Sequence, residues 1–261
     1  MILTFLATLL YLATALGIWR QWSAVWPERL LPPVALLLHG IALGGHVFHH
    51  GAVTLGIAEA VSLFAWQSAF LLWVLCWREP LRVLGLAVYP LAATAALCAL
   101  AWPSPLSETA ATGWKTRSHI VLSLFSAGLL TLAAIQAGLL AIQERLLHRH
   151  RLTATGRSLP PLQTMERLLF QLIAIGFFLL SATLLSGLWF IRDWMAQHLA
   201  HKTVLSISAW FIFGVLLWGR FRYGWRGRTA TRWTLAGYAM LILAYFGSKI
   251  ILEQFLGRHW T

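Results

Sequence analysis

An all-α, polytopic integral membrane protein is the fold class this sequence predicts, and three observations carry it. Of 261 residues, 59% are hydrophobic and only 11% charged, and mean hydropathy is +0.72. A soluble domain of this size has no interior large enough to hide so much apolar surface. The apolar residues fall into eight runs, roughly 2–19, 31–49, 55–77, 81–102, 119–142, 168–191, 203–221 and 234–256. Each is long enough to cross about 30 Å of hydrocarbon. The third observation is charge. Loops after the first, third, fifth and seventh runs are arginine-rich, from Arg20 and Arg29 through Arg145–Arg167 to Arg220–Arg232. The opposite side carries only Lys115, Arg117, Arg192, Lys202 and Arg258. The positive-inside rule then predicts eight transmembrane helices with both termini outside, N-out/C-out.

The elements follow in order. Ile2–Trp19 lacks a basic n-region and is long for a signal-peptide core, so it reads as the first spanning helix. Pro27, Pro32, Pro33 and Pro80 are expected at helix ends, and Pro90 inside the fourth helix predicts a kink that neighbours resatisfy. Trp102–Arg117 is expected to be an outer loop, with Ser118 capping the fifth helix. Gln143–Arg167 is the longest polar stretch and reads as an inner loop, its His148 and His150 belonging to a basic anchor. The whole of 1–261 is one membrane domain, with no soluble domain left over and no internal repeat. Many of the fifteen tryptophans fall near interfaces, where an aromatic belt accounts for them. Cys76 and Cys98 read as small core residues within helices, with no C-x-x-C pattern. The net charge of +12 is topological, so nucleic acid is excluded as a partner and the lipid bilayer is the expected one.

Histidine carries the chemistry. His46, His49, His50, His119, His198, His201 and His259 all fall at the outer face, and His39 lies deeper in the second helix. In LLLHGIALGGHVFHH, His39, His46 and His50 share one helix face while His49 is turned by about 100°. Gly40, Gly44 and Gly45 leave that helix narrow, so a neighbour or a flat ligand can approach closely. A histidine within hydrocarbon faces a bundle interior, where His39 either hydrogen-bonds a neighbouring helix or ligates a metal. Imidazoles from helices 2, 5, 7 and 8 at one face are what a haem iron needs, because axial ligands approach it from opposite sides. Glu59 could accept a hydrogen bond from a histidine or simply cap its helix. Nucleophile, Walker, dinucleotide and zincin motifs are all missing, and acids are few, which favours a non-enzymatic binding role over bond-making chemistry. A transporter needs a polar path at the midplane, and beyond His39 that lining is sparse.

The strings SHIVLSLFSAGLLTLAAIQAGLLAIQE, MERLLFQLIAIGFFLLSATLLSGLW, HKTVLSISAWFIFGVLLWGR, GWRG and LAYFGSK, taken in order, resemble the cytochrome c assembly family. That family covers CcsA-type haem-handling proteins of c-type cytochrome biogenesis and the related HemX-like and YpjD-like inner-membrane proteins. The nearest likeness is to the YpjD-like branch. The resemblance implies a haem-handling protein of the bacterial inner membrane with haem b as the cofactor. In CcsA-type members the histidine opening the matching helix ligates haem on the outer side; here it falls on His119. His259 or His201 stands in loosely for the second outer histidine, and His39 is the buried candidate for the iron. Glu59 and Lys202 are candidates for supporting a ligand or contacting a propionate. Two departures stand out. Around Trp189–Lys202 the chain reads LWFIRDWMAQHLAHK and lacks the W-x-W-D motif, and Trp218 replaces the histidine expected late in helix 7. They put haem transfer to an apocytochrome in question and support an alternative: a regulatory or structural partner of another membrane complex that no longer handles haem.

Overall fold

The structure is a computed structural model that describes residues 1–20, 25–49, 52–53, 57–102, 114–148, 160–190 and 200–247. Among these, eight α-helices follow one another: α1 (Ile2–Trp19), α2 (Val25–Val47), α3 (Ile57–Leu75), α4 (Gly85–Ala101), α5 (Trp114–His148), α6 (Leu162–Phe190), α7 (Ala200–Tyr223) and α8 (Gly227–Ile242). A two-residue antiparallel ladder, Phe48 with Val53 and His49 with Ala52, joins α2 to α3. A single 3-10 turn, Arg82–Leu84, leads into α4, and α8 runs on into a π-helical turn, Leu243–Gly247. Six helical stretches are long and apolar enough to cross a membrane: Ile2–Trp19, Ala58–Leu75, Arg82–Ala101, Ser118–His148, Leu162–Trp189 and Lys202–Tyr223. A shorter apolar stretch, Leu30–Gly45, lies within α2. The chain is therefore a multi-pass helical membrane protein.

The helices form two compact units, α1–α4 and α5–α8. In the first, α1 packs on α2, α2 on α3, α3 on α4, and α4 closes back on α1. The reason is legible in α1. Its buried stripe is Thr4, Ala7, Thr8, Tyr11, Thr14, Ala15 and Ile18, one or two residues per helical turn and mostly small. Its outer face shows Ile2, Phe5, Leu9, Leu12 and Leu16. Small residues inside and large apolar ones outside invert the soluble pattern, as lipid solvent demands: association rests on close backbone approach rather than on apolar burial. Ala92, Ala93, Ala95, Ala96 and Ala99 of α4 are buried in the same manner. At Gly85 an added Cβ would lie 2.6 Å from Ile18 Cδ1 and 2.7 Å from the Tyr89 ring, so a side chain at this start of α4 would force those two to shift.

In the second unit α5 packs on α6, α6 on α7, α7 on α8 and α8 on α5. Three side-chain bonds fix the antiparallel register of α5 and α6: Ser126 Oγ donates to Gly176 O at 3.0 Å, Gln136 Nε2 to Met165 O at 3.0 Å, and Gln143 Nε2 to Pro160 O at 3.2 Å. Trp210 of α7 donates to Ser181 Oγ at 2.8 Å and stacks on Phe177, with ring centroids 5.5 Å apart. Thr131 of α5 bonds the Tyr238 hydroxyl of α8 at 3.0 Å. The α7–α8 turn is closed by Gly224, at φ +66°, whose N–H reaches Arg220 O at 3.1 Å; the left-handed conformation is the reason for glycine there. The Trp225 indole then folds down onto Gly219, where any Cβ would collide with it.

Several sequence expectations are corrected. α5 begins at Trp114 and ends at His148, so Ser118 is not its cap but an internal residue whose hydroxyl donates to Lys115 O at 2.8 Å. At about 1.5 Å per residue its 35 residues outrun the hydrocarbon, which lets it absorb polar residues at both ends. The inner loop from Gln143 is accordingly shorter: Gln143–His148 belong to α5 and Leu162–Arg167 to α6. Pro32 and Pro33 lie inside α2, which starts at Val25, and not at its end. α8 starts at Gly227, seven residues before the expected 234, and the run to 256 leaves the described residues after 247. Cys76 and Cys98 are exposed, not core.

The tight α5–α6 contact makes a checkable statement. A Cβ at Gly176 would lie 2.8 Å from Leu130 Cγ, whereas one at Gly138 would meet nothing within 4 Å. Gly176→Val is expected to cost about 1–3 kcal/mol through overpacking. Gly138→Ala is expected to leave stability unchanged or slightly raised. Thermal unfolding of the detergent-solubilised protein reads both.

Candidate functional site

His119 sits in the second turn of α5, opposite the last turns of α6, where the register set by Ser126–Gly176 and Gln136–Met165 brings it to Ser186. Its Nδ1 lies 2.8 Å from Ser186 Oγ. The Ser186 hydroxyl in turn donates to Thr183 O at 2.9 Å. A serine has one proton to give; given to the carbonyl, which can only accept, it leaves Ser186 Oγ as the acceptor toward the imidazole. The proton of neutral His119 is thereby placed on Nδ1, and Nε2 carries the lone pair. This is how outer hydrogen bonds orient a ligating histidine: one ring nitrogen is anchored, the other is left as a base or metal ligand. Among the described residues Nε2 has no hydrogen-bond partner. Gly187 makes room for the ring, since a Cβ there would lie 3.2 Å from His119 Cε1.

The half-buried imidazole opens on a cleft of about 180 Å³ between α5, α6, α7 and the π-helical turn. Leu184, Leu188, Ile207 and Ala244 are its apolar walls; Lys202, Thr203, Ser206 and Tyr245 bring polar atoms to it. The π-turn matters here. By widening the helix at Leu243–Gly247 it supplies Ala244 and Tyr245 to the cleft, a deformation often found at functional sites.

His39 belongs to the first unit and is 1% exposed. Its Nδ1 meets the Tyr11 hydroxyl of α1 at 3.3 Å, and its Nε2 meets Ser62 Oγ of α3 at 2.9 Å. Both ring nitrogens are thus engaged, tying three helices together. Tyr11 also stacks on Tyr89 of α4, at 5.9 Å between centroids, which brings the fourth helix into the same polar knot. A space of about 10 Å³ beside His39, bounded by Thr4, Ser62 and Leu100 among others, is about one water molecule in size. His39 thus makes interhelical hydrogen bonds through both ring nitrogens.

The remaining candidates divide as follows. Glu59 is in the first turn of α3 and 5% exposed, one turn before the serine that contacts His39. Lys202 lines the His119 cleft. His201 lies in the first turn of α7, next to it in sequence. His46 lies in the last turn of α2 and His49 is in the short ladder, while His50, His198 and His259 lie outside the described residues. Gly40 does admit a flat neighbour: it is the Trp66 indole, whose Nε1 donates to Leu36 O at 2.7 Å and would be 3.3 Å from a Cβ at position 40. Residues missed by the sequence reading are Ser186, Gly187 and Tyr245 in one unit, and Tyr11 and Ser62 in the other. Ser186-Gly187 stands in the string LLSGLW, one helical end from Trp189, but nothing local marks it as a histidine's partner.

The fold is that of a multi-pass helical membrane protein carrying a histidine-lined cleft. Residues 29–256 match the model of the family described as cytochrome C assembly protein. The chain is 34% identical over 243 residues to the inner membrane protein YpjD of Escherichia coli strain K12, covering 91% of this chain and 89% of that relative. It is 26% identical over 100 residues to the cytochrome c biogenesis protein CcsA of Gloeobacter violaceus, 38% of this chain and 30% of the relative. It is 23% identical over 132 residues to the protein HemX of Brevibacillus brevis, 50% of this chain and 48% of the relative. No solved structure gives a significant match. The chain belongs to the cytochrome c assembly protein family.

The knot at His39 predicts a stability phenotype. Ser62→Ala leaves a buried imidazole nitrogen without its partner and is expected to cost about 1–3 kcal/mol. Ser68→Ala removes only a hydroxyl that donates to Phe64 O of its own helix, and its effect should be clearly smaller. Paired thermal-unfolding curves distinguish the two.

Proposed function

We propose that this protein is a non-enzymatic haem-handling protein of the bacterial inner membrane, acting in the orbit of c-type cytochrome assembly. One observation carries the reading: the chain His119 Nδ1–H to Ser186 Oγ–H to Thr183 O leaves Nε2 of His119 unprotonated at the edge of a cleft. Family membership and the inner-membrane relative support it. Orientation with both termini outside follows from the arginine distribution, and places His119 toward the periplasm. The match over 29–256 runs through both helical units, which supports one functional membrane domain over 1–261.

The residues present fit haem b in kind. An imidazole with a free lone pair suits the iron, leucine and isoleucine walls suit the macrocycle, and Lys202 suits a propionate. A cleft of about 180 Å³ is smaller than the roughly 300–1,000 Å³ of sites that enclose an organic ligand, so it takes one edge of a porphyrin and leaves the rest outside. That suits transient handling better than permanent burial. His259 and His201 are the proposed sources of a second axial imidazole, with Glu59 a supporting residue in the other unit. For His39 to ligate iron, one of its two hydrogen bonds, to Tyr11 or Ser62, would have to be released. When bound, the group supplies iron-centred coordination and redox chemistry; this chain holds it, orients it and keeps one face dry.

The test is haem titration of the purified protein, read by absorption. Wild type is expected to give a Soret band that His119→Ala abolishes. Ser186→Ala, which frees the tautomer without touching the ligand, is expected to weaken binding by about 10–100-fold. A colourless protein that takes up no haem would point instead to the regulatory or structural partner role. A Soret band unchanged in His119→Ala would remove His119 from the site.

A further inference from the structure

A second cleft opens at the other end of α5, where His148 is separated from His119 by about 40 Å of helix at 1.5 Å per residue. It has a volume of about 320 Å³ and lies between the last two turns of α5 and the first turns of α8. Glu144, Arg145, His148, Arg228, Thr231 and Arg232 line it. Three guanidiniums against one carboxylate make it net positive. Arg145 and Arg232 have no ion-pair partner among the described residues. Glu144 is turned toward Gly227: its Oε1 is the atom a Cβ there would meet, at 2.6 Å. Gly227, at φ +51°, gives its own N–H to Glu166 Oε1 at 2.9 Å, so the start of α8 is already capped by protein.

The second observation is Thr231. It is 5% exposed, lines the cleft, and its hydroxyl oxygen has no hydrogen-bond partner among the described residues. Other helical threonines here behave differently: Thr234, one turn on in the same helix, bonds Ala230 O at 2.8 Å, and Thr183 bonds Leu179 O at 2.9 Å. A hydroxyl left idle in a buried position costs stability unless something else completes it. Arginines set around it are suited to one class of group, because a guanidinium binds phosphate oxygens in pairs and a hydroxyl can donate to a third.

We propose that this cleft binds a phosphate group, with Arg228, Arg232 and Arg145 contacting its oxygens and Thr231 Oγ1 donating to it. On the orientation proposed above the site faces the cytoplasm, where basic pockets between membrane helices meet anionic head groups. The same chemistry is available from a phospholipid or from free phosphate. The proposal does not depend on haem, and its test leaves the His119 site untouched.

The full chain, purified in neutral detergent, is titrated with phosphatidylglycerol, with phosphatidylcholine and with inorganic phosphate, and read by native mass spectrometry and thermal shift. Phosphatidylglycerol is expected to bind and raise the melting temperature, and phosphatidylcholine is not. Inorganic phosphate that binds with the same variant sensitivity identifies the free ion as sufficient; phosphate that does not bind assigns the site to the lipid head group. Thr231→Val and the double variant Arg228→Gln with Arg232→Gln are each expected to weaken binding about tenfold, while Thr231→Ser keeps it. Thr231→Val is nearly isosteric, so it reads the hydroxyl even where the double variant fails to fold. Absence of binding by both phosphatidylglycerol and phosphate, or equal binding by wild type and Thr231→Val, would overturn the proposal.

Discussion

A hydrogen bond of 2.8 Å between His119 and Ser186 decides what the histidine can do, and the second bond, from Ser186 to Thr183 O, decides which way the first one runs. Ser186 can sit where it does only because α5 and α6 are held in register by Ser126 on Gly176 and Gln136 on Met165. Gly187 leaves the imidazole space, and Gly176 lets the two helices approach near their middle. The chemistry at one end of the pair thus rests on small residues and amide bonds spread along its length. In lipid, where apolar burial offers helices little reason to associate, such contacts carry more of the association than they would in water.

Buried His39 and half-buried His119 differ in how their ring nitrogens are engaged. His39 has both nitrogens engaged, by Tyr11 and Ser62, and lies among the four helices of the first unit as a fastening. His119 has one nitrogen engaged and the other left toward a cleft. Both follow from the cost of a polar ring in hydrocarbon, which is met by hydrogen-bond partners on neighbouring helices. Both four-helix units close in the same order, each helix packing on the next and the last on the first. Among the described residues, the second has a π-helical turn, at Leu243–Gly247, that opens its wall.

Much of this architecture was legible in the amino-acid order. Apolar runs located the six described stretches long and apolar enough to cross a membrane, because a bilayer leaves no other way to satisfy a backbone. Their ends were less legible. α5 overran its apolar stretch to Trp114 and His148, since a helix leaving the membrane continues as long as its own backbone bonds hold, whereas Pro32 and Pro33 lie inside α2 even though each removes one such bond. The histidines announced themselves as candidates by residue type and depth. Their partners did not: Ser186 is 67 positions from His119, and Tyr11 is 28 from His39. Such pairs exist only once helices have packed, and a serine in an apolar run looks the same whether it bonds its own helix, as Ser68 does, or a histidine on another. Thr231 was hidden for the opposite reason, as its significance is a bond it does not make.

The direction of the proton on His119 is the point on which the functional account turns. Nitrogen-15 spectra of the histidine-labelled protein without haem, with the resonance assigned by its loss in His119→Gln, report that direction without reference to any ligand. The account predicts a protonated Nδ1 and an unprotonated, pyridine-type Nε2 for His119, reversed or averaged when Ser186 becomes alanine. A wild-type His119 that carries its proton on Nε2 would contradict it, because the nitrogen facing the cleft would then have no lone pair to offer.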